Sequence, residues 1–188
     1  HLRLGDAQKA VELIPMIERG LKKHDGSIST LRLAAFNYQI AYAHVINNDP
    51  EKALRSLNKL LNDVRSEDAS DAVCFGRLLQ LLLLLEMGKA DVLRFTLRNT
   101  ERFLRLHARK HRFEPVLLQL VRDLSKKNCD TTTLLEQFRM KAEAMENDPL
   151  ERMVFDHFDP IAWAESKLGG GSFAERIRLR MRAMEHAA

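Results

Sequence analysis

Apolar residues recur at every third or fourth position along nearly the whole chain, and no window alternates apolar with polar residues in the β-branched pattern of a half-buried strand. A chain patterned in this way can bury its apolar atoms only as helices that shelter one another. The expected architecture is therefore all-α. Between Asp6 and Lys23 the stripe is Ala10, Val11, Ile14, Ile17 and Leu21, with Pro15 placed to kink the helix or limit its first part. A second helix, capped by Ser29 or Thr30, carries Leu33, Phe36, Ile40 and Val45 up to the Asn47-Asn48 turn. Further helices are expected at about 70–87, 89–111, 114–127 and 132–146, the last capped by Thr131 or Thr132.

Asp-Pro recurs at Asp49-Pro50, Asp148-Pro149 and Asp159-Pro160. In each pair the carboxylate can accept orphan amide hydrogens while proline presets φ for the first turn, so each marks a helix start. Asp148 with Glu151, and Ser172 with Glu175, also have capping-box spacing. Gly169-Gly170-Gly171 separates the last two helices.

The 188 residues are 45% hydrophobic and include only 8 Gly and 5 Pro, which excludes collagenous and wholly disordered chains. Cys74 and Cys129 stand far apart with no ligand-like spacing, against a disulfide scaffold or a zinc knuckle and in favour of a reducing, cytoplasmic setting. The longest apolar run, Leu78 to Leu85, is far short of the roughly 20 residues that span a bilayer and belongs in a core covered on several sides. The chain opens on His1 with no signal or transit pattern, as expected of a piece of a longer protein. A net charge of +4 permits acidic partners without requiring them.

An internal repeat aligns Gly5–Ile17 with Asn48–Leu60 at an offset of 43 residues, pairing Asp6 with Asp49, Lys9 with Lys52, Ala10 with Ala53, Ile14 with Leu57 and Ile17 with Leu60. A weaker third copy starts at Gly88, with Leu97 in the place of Leu57. Such self-similarity marks stacked helix pairs. At these residues the chain resembles the tetratricopeptide repeat family over about residues 1–110. Ala10 and Ala53 take the small position of the second helix, Ile40 and Ala41 the apolar-then-small step of the first, and His44 a position where the family carries an aromatic. The resemblance implies a right-handed α-α superhelix over residues 1–112, followed by irregular C-terminal helices over 113–188. It also implies a scaffold that binds a partner protein or peptide on a concave surface. Asn37, Tyr38, Ala41 and His44 would line that groove.

The distinctive surface feature is Arg94, Arg98, Arg102, Arg105, Arg109 and Arg112, spaced 4, 4, 3, 4 and 3, which on one helix makes a stripe of six guanidinium groups offset only by Glu101. Each can grip a carboxylate or a phosphate with two donors, so the stripe suits an acidic protein segment, with nucleic acid as the alternative. The bland reading is a solvated face paired with acids on adjoining helices. Phe95, Phe103 and Phe113 read as core spacing, which leaves a single-strand binder without its stacking platform.

His107 and His111 stand one turn apart, but HARKH lacks the glutamate of a zinc-protease helix and lies among cations, so no metal is expected. Asp156, His157 and Asp159 form an acid/base cluster in which Asp159 already has a capping role. With no nucleophile elbow and no phosphate loop, the expectation is a protein without catalysis or cofactor. The final stripe of Phe173, Ile177, Met181 and Met184 is expected to cap the last repeat.

Overall fold

The structure, a computed structural model, describes residues 1–24, 26–63, 70–107 and 111–187. All regular structure among them is helical. Among the described residues, eleven α-helices follow a short 3-10 turn at Leu2–Leu4: α1 (Ala7–Glu12), α2 (Ile14–Lys23), α3 (Thr30–Ile46), α4 (Pro50–Asp63), α5 (Asp71–Glu86), α6 (Ala90–Leu106), α7 (Phe113–Leu124), α8 (Thr131–Glu146), α9 (Arg152–His157), α10 (Pro160–Lys167) and α11 (Phe173–Ala187). No helix among the described residues is long and apolar enough to cross a membrane. The chain forms two compact units, His1–Gly76 with Ser172–Ala188 and Arg77–Gly171. The C-terminal helix belongs to the same unit as the N-terminal segment.

In the first unit, Pro15 acts as expected: α1 stops at Glu12 and α2 restarts with the proline in its first turn, where a missing amide hydrogen costs nothing. Ala10 and Ile14 pack against Ile40 and Ala43 of α3, with Leu2, Val11 and Ile17 around them. The other side of α3 packs on α4, which buries Ala53, Leu57 and Leu60 completely. Gly76 of α5 lies against Leu60 so closely that an added Cβ would come within 2.7 Å of the leucine Cδ2. The small residue here admits the neighbouring helix.

The aligned positions Asp6 and Asp49 make the same contacts. Asp6 and Asp49 each accept an amide hydrogen three residues on, from Lys9 at 3.4 Å and from Lys52 at 3.2 Å. Each also pairs with that lysine's ammonium, at 3.0 and 2.6 Å. Gly5, Asn48 and Gly88 all adopt positive φ, at 65°, 56° and 66°. Their turns share one hydrogen-bond pattern, seen in the amides of Asn48 and Asp49 donating to the carbonyls of Val45 and His44 and those of Gly88 and Lys89 donating to Leu85 and Leu84. In the third copy Lys89 replaces the aspartate, and α6 starts without a side-chain cap.

The last helix departs from expectation. Phe173, Ala174 and Ile177 of α11 are buried, but against the start of the chain rather than over the last repeat. Phe173 meets Tyr42 edge-on at 6.2 Å, and Arg178 donates to the Gly5 carbonyl at 2.9 Å. Met181 is only half-buried and Met184 is exposed, so the stripe is covered at its N-terminal end alone.

In the second unit the leucines at 78, 79 and 81–84 are at most 3% exposed, the core role read from their run. Helix α8 packs against α7 and α10 around Phe113, Phe138, Phe158 and Trp163, whose rings meet in pairs at 5.9–6.4 Å. The indole N–H of Trp163 donates to Glu86 at 2.8 Å, satisfying the polar edge of a buried ring.

Helix starts were only partly as expected. Ser29 caps α3, Asp159 caps α10, and Ser172 with Glu175 forms a reciprocal capping box at α11. Asp130, not Thr131 or Thr132, caps α8. Asp148 and Glu151 form no box: α9 begins later, and both carboxylates turn to Arg112 and the start of α7.

Candidate functional site: the outer face of α6

Helix α6 buries Leu93, Thr100, Phe103 and Leu104 and turns its arginines outward. Arg94, Arg98, Arg102 and Arg105 are all exposed. Arg94 has one distant partner, Asp91 at 3.8 Å, where both side chains are in water and the pair contributes little. Arg98, Arg102 and Arg105 have no ion pair among the described residues. The acid among them, Glu101, is held at 2.8 Å by Arg122 of α7. It therefore does little to neutralise its own helix.

The expected stripe of six is shorter than its spacing implied. The helix stops at Leu106, where the ring of His107 turns back and its Nδ1 lies 2.8 Å from the Phe103 carbonyl. Arg112 is thus not on this helix. It precedes α7, where it pairs with Asp148 and where the Glu151 carboxylate accepts the amide hydrogens of Arg112 and Phe113, at 2.6 and 3.2 Å. Arg109 lies outside the described residues. The break also separates His107 from His111, whose Nδ1 lies 3.0 Å from the Leu150 carbonyl, so the two rings do not share one helical face.

Beside the arginines runs a second row. Val92, Phe95 and Leu106 are 53%, 61% and 68% exposed. Phe95 therefore corrects the expectation that all three phenylalanines here are core: Phe103 and Phe113 are buried and Phe95 is not. At 100° per residue Phe95 and Leu106 lie beside Arg102 and opposite Leu93 and Leu104, a signal that was present in the sequence.

On the opposite side of the arginine row, α5, α6 and α7 enclose a cleft of about 390 Å³. Its floor is Leu84, Leu85, Leu93, Leu97 and Leu124, and Arg94 and Arg122 stand among its lining residues. A second cleft, of about 360 Å³, lies in the first unit between α1, α2 and α3, where Phe36 and Leu13 are exposed.

The four groove positions do not face an open surface. Asn37, Tyr38, Ala41 and His44 are at most 8% exposed, within the packing of α3. Burial pushes the Tyr38 phenol well above its ordinary pKa and draws the His44 imidazole below its own. The Asn37 side-chain nitrogen and the His44 Nδ1 are buried without a hydrogen-bond partner among the described residues. In the acid/base cluster, Asp156 is exposed, Asp159 serves as the α10 cap, and Phe158 is buried as packing.

No known protein family, curated protein or solved structure matches this chain.

Proposed function

We propose that the protein is a non-catalytic interaction module, built in its early part from tetratricopeptide-like helix pairs, that binds an acidic partner protein segment on the outer face of α6. The three recurring positive-φ turns and the matched Asp–Lys caps support the helix-pair reading. One observation carries the binding reading: Arg98, Arg102 and Arg105 lie exposed in successive turns with no ion pair among the described residues, while Glu101 is engaged elsewhere. An acidic helical segment would supply the missing carboxylates, and its apolar residues would cover Val92, Phe95 and Leu106.

Nucleic acid is the second reading, favoured by Phe95, which stands exposed beside Arg98 and Arg102 as a base-stacking platform requires. It leaves Val92 and Leu106 uncovered, which is why protein is preferred. The test is binding of an acidic helical peptide and of a single-stranded oligonucleotide across a salt series, to the native chain and to Arg98→Glu/Arg102→Glu. The proposal expects the peptide to bind more tightly than the oligonucleotide and the double variant to lose it. Tighter oligonucleotide binding, with a steep salt slope and loss on Phe95→Ala, would replace the protein reading with the nucleic-acid one.

A further inference from the structure

Resting on that reading, we infer that the cleft between α5, α6 and α7 is an anchor pocket for one bulky apolar side chain of the acidic partner segment. Three observations meet there. The floor is aliphatic, formed by Leu84, Leu85, Leu93, Leu97 and Leu124, and water gains nothing from it. The volume, about 390 Å³, lies within the roughly 300–1,000 Å³ usual for binding pockets and exceeds what a single leucine needs. Arg94 lines the cleft and is also the first member of the outward arginine row, so the apolar pocket and the cationic surface are one continuous site.

The charges specify the occupant's chemistry. Among the described residues Arg94 holds only the Asp91 carboxylate, at 3.8 Å, and Arg122 already holds Glu101, so the rim is cationic with one guanidinium open to a new acid. A neutral apolar ligand would leave Arg94 unused. A segment with a leucine or larger aliphatic residue, flanked one turn away by glutamates, uses both halves of the site. Gly88, an exposed residue of the turn before α6, lines the cleft at its open edge. Ala90, exposed in the first turn of α6, lines the same opening.

The experiment uses the full chain and two fluorescein-labelled helical peptides rich in glutamate, identical except that one carries a central leucine and the other alanine there. The native chain is expected to bind the leucine peptide at least about tenfold more tightly, since burial of one leucine side chain separates the two. Ala90→Trp, which fills the mouth, should reduce that ratio to near one, with circular dichroism confirming that the helices remain. Arg98→Glu/Arg102→Glu should weaken both peptides while keeping their ratio. Equal binding of both peptides to the native chain, lost in the arginine variant, would overturn the pocket and leave the acidic-partner reading standing. Failure of the native chain to bind either peptide would overturn both.

Discussion

At the scale of single residues, the buried acid Glu151 shows how far a local pattern can mislead. Its spacing from Asp148 predicts a capping box for its own helix, yet its two oxygens accept the amide hydrogens of Arg112 and Phe113, almost forty positions away, and serve as the cap of α7. Nothing in the local sequence distinguishes the two outcomes, because both use a carboxylate within reach of orphan N–H groups. Glu151→Ala leaves those donors unsatisfied at a position 1% exposed and should lower stability by about 1–3 kcal/mol, with Glu151→Gln losing less because one oxygen acceptor remains. Chemical denaturation of the three proteins measures this, and equal stability of Glu151→Ala and the native chain would remove the proposed cap. His44 makes a separate prediction. Burial, opposed by Asp49 and Glu18 and assisted by Lys52 and Arg55, holds its pKa below the ordinary 6.5. The unfolded chain therefore takes up a proton first as pH falls, so the contribution of this group is complete above about 6.5 and is lost as pH falls through the lowered folded value. His44→Phe should flatten the decline in stability between pH 7 and 5, and an unchanged slope in that variant would assign the decline to other groups.

At the scale of elements, the helical class and most helices were legible, since helix existence follows from periodicity and many helix starts from Asp, Ser and Pro. The reading of 89–111 as one helix erred for a physical reason: the sequence contains no glycine or proline there, and α6 closes on the His107 amide and ring at the Phe103 carbonyl, while Glu151 caps the separate start of α7. Arg112 leaves the stripe as a result, and among the described residues the site is a shorter face with its own apolar flank. The repeated turns permit a controlled comparison. Gly5 and Gly88 have nearly the same φ, but a Cβ on Gly5 would meet the Ala174 carbonyl at 2.5 Å while one on Gly88 meets nothing. Gly88→Ala should therefore cost only the left-handed backbone penalty, about 1–2 kcal/mol, and Gly5→Ala should cost more because α11 must also move. Thermal unfolding of the two variants measures the difference, and equal losses would mean that α11 does not press on this turn.

At the scale of the whole molecule, the sequence could not show that the C-terminal helix returns to the N-terminal segment. Its amphipathic stripe says that α11 must be covered, and only long-range packing decides by what. A linear repeat array places each element against its sequence neighbours, so the hydrogen bond from Arg178 to Gly5, across 173 positions, is the contact that such an array would not make. It also has a kinetic consequence. Neighbouring helices such as α3 and α4 meet at small loop-closure cost, whereas bringing α11 to the first turn closes a loop of nearly the whole chain. The α11 contacts should therefore form after the rate-limiting step. Phe173→Ala removes a side chain only 8% exposed and should destabilise the first unit by about 3–5 kcal/mol, with the loss falling on the unfolding rate and the refolding rate little changed. Stopped-flow folding followed by far-ultraviolet circular dichroism separates the two rates. If refolding slows in proportion to the lost stability, the ends of the chain meet early, and the first unit nucleates around α11 rather than around α3 and α4.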